Sequence, residues 1–118
     1  MSREHSVGKS FSYAISGFGL ALKNEPNIRI HLAVSLVAII AAYFLRFSRN
    51  EWVILFFTIA FVLVLELINT TLEAIVDIVS PKFRPEAKFA KDVSAAAVLV
   101  SAILSLIVGA FLFLPKIL

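Results

Sequence analysis

The pattern of apolar and polar positions divides the chain into one amphipathic stretch and three long apolar tracts. From about residue 6 to residue 23, Val7, Phe11, Ala14, Ile15, Phe18, Ala21 and Leu22 recur near helical spacing, and Lys9, Ser10, Ser12, Ser16 and Lys23 fall largely elsewhere. This predicts a helix lying on a membrane surface. The run Asn24, Glu25, Pro26, Asn27 interrupts it, because proline disfavours helical geometry in the residue before it and has no amide to donate.

The first tract, about residues 28–47, is nearly all apolar after His31 and long enough to cross roughly 30 Å of hydrocarbon. Ser48 and Glu51 stand at capping-box spacing, so a tight turn should return the chain as an antiparallel neighbour. The second span covers about 51–79 and stops at Ser80 and Pro81; its length exceeds about 40 Å, so its last turns should leave the bilayer. Trp52 and Tyr43 suit the outer interfacial belt. A basic loop leads to the third span, about 86–114, which Pro115 is expected to end. The reading is a single all-α membrane domain over residues 1–118, with a surface helix and three transmembrane helices.

Composition agrees. With 118 residues, 60% hydrophobic residues and a mean hydropathy of +0.96, the chain is more apolar than a soluble domain, where about 45–50% is usual. The net charge of +3 does not point to nucleic acid, since the basic residues flank spans and form no stripe with interleaved aromatics. Without cysteine there is no disulfide, thiolate metal site or catalytic thiol. No early apolar run ends in a cleavage site, so the first span should serve as the insertion signal. Arg3, Lys9, Lys23, Arg29, Lys82, Arg84, Lys88 and Lys91 fall on one side, against Arg46, Arg49 and Lys116 on the other. This bias puts the N-terminus in the cytoplasm and the C-terminus outside.

Candidate chemistry lies in ELINTTLEAIVD, residues 66–77. Glu66, Asn69, Glu73 and Asp77 fall within an arc of about 80° spread over roughly 16 Å of helix. An acidic residue at the centre of a span costs about 2.5–3.5 kcal/mol, and Asn, Ser or Thr would join helices without that cost. The acidic choice favours chemistry or ion binding over helix packing. Glu25 before span one, and Lys91 and Asp92 before the apolar part of span three, should reach the same membrane level and ring a cytoplasmic-side cleft with Glu73. No glycine-rich phosphate loop precedes a Lys-Ser or Lys-Thr pair. Carboxylates suit Mg²⁺ whose shell is completed by substrate phosphates, and a lysine suits the remaining charge. An ion- or proton-handling protein is the rival reading from another class.

ELINTTLEAIVD, the basic loop and AKDVSAAAVL at residues 90–99 together resemble the prokaryotic diacylglycerol kinase family, which includes the undecaprenol kinases of Gram-positive bacteria. The likeness extends to the surface helix, the Asn24-Glu25 pair and the order of spans. It implies a lipid kinase that uses ATP and Mg²⁺ to phosphorylate a membrane alcohol, undecaprenol or alternatively diacylglycerol, as a homotrimer with shared sites. It implies Glu66 as catalytic base, aided by Asn69; Glu25 and Glu73 as metal ligands; Lys91 on phosphate; and Asp77, Asp92 and Tyr13 near the nucleotide. Arg29 and His31 fall on the lipid side, and His31 stands where the resemblance points to the undecaprenol branch. Where some members carry an arginine early in the surface helix this chain has Ser6, with Lys9 nearby to supply charge. Small residues Ala97, Ser101, Ser105 and Gly109 recur every four positions and should allow close helix approach.

Overall fold

The computed structural model describes residues 6–118, which form four helices: α1 (Val7–Asn24), α2 (Pro26–Phe44), α3 (Arg49–Val79) and α4 (Pro85–Ile117). Arg3, counted in the charge bias, lies outside the described residues. Each boundary has a local cause. Ser6 caps α1 by accepting the Lys9 amide at 3.3 Å, which gives the serine at this position a structural task. Pro26 and Pro85 occupy the first positions of α2 and α4, where a missing amide costs nothing. Ser48 and Glu51 form the expected reciprocal box, Glu51 accepting the Ser48 amide at 2.7 Å and Ser48 accepting the Glu51 amide at 3.3 Å.

Two boundaries differ from the sequence reading. α2 ends at Phe44, three residues early, because Arg46 takes a left-handed φ of 59° that turns the chain and sends Phe47 back into the bundle. α4 runs through Pro115 to Ile117. In the last turn the proline removes one helical hydrogen bond, and the Leu118 amide still reaches the Leu114 carbonyl at 2.9 Å.

α2, α3 and α4 are each long and apolar enough to cross a membrane, with only 11%, 17% and 11% of their apolar windows buried inside the chain. Their remaining surface is left for lipid or for other protein. The inward positions of α3 are Trp52, Leu55, Ile59, Val62, Glu66, Asn69, Glu73 and Val76, spaced alternately by three and four residues. That is the seam of left-handed helix packing. On α4 the matching seam is Ser94, Val98, Ser101, Ser105, Val108 and Leu112. Ser101 is almost fully enclosed and sends its hydroxyl to the Val98 carbonyl at 2.7 Å, so the helices approach closely over a satisfied polar group. Ser105 and Gly109 lie on or beside this seam, but Ala97 is exposed: strict four-residue spacing drifts off a face that turns every 3.5 residues.

The outer end, on the orientation the charges suggest, is closed by Ala42, Phe47, Leu55 and Leu112. Phe47 packs on Phe113 and Trp52 with centroids 4.9 and 6.0 Å away. Lys116 pairs with Glu51 at 3.0 Å and lies 5.7 Å above the Phe47 ring, tying the end of α4 to the start of α3.

At the other end α1 meets α2 in an elbow centred on Glu25. The Glu25 amide ends α1 on the Ala21 carbonyl at 2.8 Å, and Glu25 also precedes the first turn of α2. Arg29 donates through Nη1 to the Leu22 and Lys23 carbonyls at 2.9 and 2.8 Å, closing the negative end of α1 with a positive charge. Removing the Ser48 cap by Ser48→Ala should lower stability by about 1 kcal/mol, read as a lower thermal midpoint in detergent. Arg29→Ala should loosen the elbow and speed proteolysis at residues 24–27, while cleavage at the α3–α4 loop stays at its starting rate.

Candidate functional site

The seam of α3 is apolar as far as Val62, polar at Glu66, Asn69 and Glu73, and apolar again at Val76. The change from apolar packing to polar side chains therefore takes about one turn of a single helix. Glu66 is 3% exposed. Its carboxylate faces α2, where His31 Nε2 lies 3.1 Å from Glu66 Oε1. That approach lacks hydrogen-bond alignment, and among the described residues no donor satisfies Oε1. A buried acceptor without a donor costs about 1–3 kcal/mol, so it stands ready for a group that brings an O–H or N–H.

One turn further, Asn69 Nδ2 donates to Glu73 Oε1 at 2.9 Å, which orients the Glu73 carboxylate; Asn69 Oδ1 is a second buried acceptor without a donor. Glu25, brought in by the elbow, and Glu73 both lie close enough to act on the charge of Glu66. Three carboxylates from the elbow and one helix face thus share one region. Like charges so arranged repel unless a cation or a proton joins them.

The remaining candidates form a second group at the wet end. Lys91 Nζ pairs with Asp77 Oδ1 at 2.5 Å across α3 and α4, and Lys88 pairs with Asp92 at 2.5 Å along α4. A cavity of about 380 Å³ opens there, lined by Asp77, Lys82, Arg84, Lys88, Lys91 and Asp92 among others. Lys91 also feels the charge of Glu73, so the two groups adjoin. The single ring expected from the sequence is therefore two steps on one path, from the buried carboxylates to the basic loop. Asp77 is exposed, since one more turn carries it off the seam that holds Glu73. Arg29 has its guanidinium on the carbonyls of α1, and Tyr13 is exposed on α1.

Two spaces flank the acidic group. Between α1 and α3 a cleft of about 560 Å³ is lined by Gly17, Ala21, Glu25, Leu67, Thr70 and Thr71 among others. On the apolar side of His31, a slot of about 420 Å³ runs between α2, α3 and α4. No group of three or more His, Asp or Glu residues forms a metal cage among the described residues. The donor set instead suits a hard cation that keeps several waters and takes phosphate oxygens, held by one or two carboxylates.

Residues 12–113 match the family described as prokaryotic diacylglycerol kinase. The chain is 40% identical to the undecaprenol kinase of Bacillus subtilis (strain 168) over 108 residues, covering 92% of this chain and 88% of that one. It is 41% identical to a diacylglycerol kinase of Synechocystis, over 92% of this chain and 63% of the relative. To the diacylglycerol kinase of Escherichia coli (strain K12) it is 29% identical, over 84% and 81%. Of the two classes left open by intramembrane carboxylates, ion handling and phosphoryl transfer, the match selects the second. The chain belongs to the prokaryotic diacylglycerol kinase family and is a membrane lipid kinase.

Proposed function

We propose that this protein transfers the γ-phosphoryl group of ATP, with Mg²⁺, to the hydroxyl of undecaprenol at the cytoplasmic face of the membrane. The observation that carries the reading is Glu66: a carboxylate 3% exposed, with one oxygen lacking a donor, between an apolar slot and a wet, charged end. A lipid alcohol comes from hydrocarbon and a nucleotide from water, and Glu66 stands where the two routes meet. The relative from Bacillus subtilis, named an undecaprenol kinase, supports this choice of alcohol.

In the mechanism the lipid hydroxyl donates to Glu66 Oε1, which accepts the proton as the lipid oxygen bonds to the γ-phosphorus and the bond to the β-phosphate breaks. Asn69 holds the Glu73 carboxylate in place. Glu73 and Glu25 are the residues that would hold Mg²⁺, whose charge offsets that developing on the phosphates. Lys91, freed from Asp77, neutralises phosphate oxygens, while Asp77, Asp92 and Tyr13 border the nucleotide. Arg29 fixes the elbow that delivers Glu25, and His31 lies beside the alcohol. The spans, so little buried inside one chain, pack as a homotrimer with shared sites, the N-terminus in the cytoplasm and the C-terminus outside.

A second reading, phosphorylation of diacylglycerol to phosphatidic acid, is favoured by the diacylglycerol kinase of Synechocystis at 41% identity. Purified protein given labelled ATP, Mg²⁺ and each alcohol in turn decides between them: the greater kcat/KM should belong to undecaprenol, and the reverse order makes diacylglycerol the substrate. Glu66→Gln should lower kcat by roughly 10²–10⁴-fold with assembly intact, and near-normal turnover removes Glu66 as the base. Glu73→Gln should demand more Mg²⁺ for half-maximal rate, with the KM for the lipid little changed.

A further inference from the structure

The slot between the three spans is more than a gap left by imperfect packing. It begins at His31 and Val62, one turn from Glu66, and ends at Leu55, Leu112 and Phe113, where the aromatic cluster closes the bundle. Of its three hydroxyls, Thr58 and Ser105 donate to the Ile54 and Ala102 carbonyls of their own helices at 2.7 Å each, and Ser35 stands one turn along α2 from His31. Apart from Ser35 the walls present hydrocarbon, and the polar end is His31, the residue in contact with Glu66.

Size limits what can enter. From Val62 to Leu55 is about 10 Å of helix axis, so 420 Å³ corresponds to a cross-section of roughly 40 Å². An extended hydrocarbon chain fits this width, and the end of the slot at His31 lies beside the carboxylate that would receive its hydroxyl. Gly109 borders the slot, and a Cβ built there meets nothing within 4 Å, so the space persists to the backbone of α4.

We propose that this slot receives the hydroxyl-proximal segment of the substrate's hydrocarbon chain, with Gly109 setting how much chain it admits and His31 marking the passage from chain to hydroxyl. The inference rests on Glu66 as acceptor of the hydroxyl proton. It adds a place for the chain inside one subunit's three spans, reached from the outer-leaflet side of that carboxylate. The terms are those of any lipid-alcohol site: the chain loses no hydrogen bond on entry, and the hydroxyl is carried toward Glu66 Oε1, a buried acceptor that lacks a donor among the described residues.

Gly109→Leu fills the slot from α4 with a side chain whose first carbon is unobstructed, so the backbone need not move. For undecaprenol this variant should lose roughly tenfold or more in kcat/KM, while an alcohol of a single isoprene unit, too short to reach Gly109, presented in detergent micelles should change less than about twofold. Gly109→Ala should fall between wild type and leucine for the long alcohol. Equal losses for long and short alcohols, or no loss for either, overturn the slot. Should Gly109→Leu not assemble, a lipid alcohol with a diazirine within its first two isoprene units decides on wild-type protein: labelling of Val34, Ala38, Ile59 or Gly109 supports the slot, and labelling confined elsewhere overturns it. Wild-type protein that phosphorylates neither alcohol sinks the kinase mechanism itself, an outcome distinct from a normally active enzyme indifferent to Gly109.

Discussion

An ionisable side chain in hydrocarbon must have partners, and the rest of this structure follows from how Glu66 meets that demand. It occupies a seam position of α3, so helix packing takes it out of contact with lipid. His31 occupies a seam position of α2 at the same level, and the imidazole edge lies 3.1 Å from the carboxylate. The imidazole, itself partly exposed, faces the buried carboxylate. Yet the pairing is incomplete, because Oε1 keeps an unsatisfied lone pair.

Much of this was legible in the chain. Four elements, three spans and the Ser48–Glu51 box follow from periodicity and capping chemistry, because bilayer helices must satisfy their backbones internally and their ends need explicit partners. The face joining Glu66, Asn69 and Glu73 was legible too, since positions on one helix are related by a fixed angle. What one helix cannot report is its neighbour's register. The contact of His31 with Glu66, the reach of Arg29 to the end of α1, and the division of the acidic and basic residues into two adjoining groups all depend on how helices are offset along their axes. The exposure of Ala97 has a related origin: the difference between a repeat of 4 and one of 3.5 becomes visible only where two helices pack.

The same seam explains why the chemistry sits where it does. Toward the aromatic end, Leu55, Ile59 and Val62 pack against α2 and α4 and leave a dry slot; toward the loop, the positions in phase with them are Glu66, Asn69 and Glu73. A single helix phase thus aligns the apolar slot with a row of side-chain oxygens. α3 is about 46 Å long at 31 residues, beyond the ~30 Å of hydrocarbon, so the row can extend from a dry level to a wet one without a break in the helix.

Glu25 completes the row from outside the helix, and its position is fixed more firmly than its place in a connection suggests. Its amide belongs to the last turn of α1, and the following residue, Pro26, starts α2 with a φ already suited to a helix. Arg29, one turn into α2, reaches back to two terminal carbonyls of α1. The elbow is therefore held by a backbone bond, a proline and a charge-assisted side chain within five residues of sequence. Two rigid helices meeting at so constrained a joint leave Glu25 little freedom relative to α3, so the amphipathic helix α1 holds a carboxylate near Glu66 with the positional accuracy that the proposed metal-phosphate site demands.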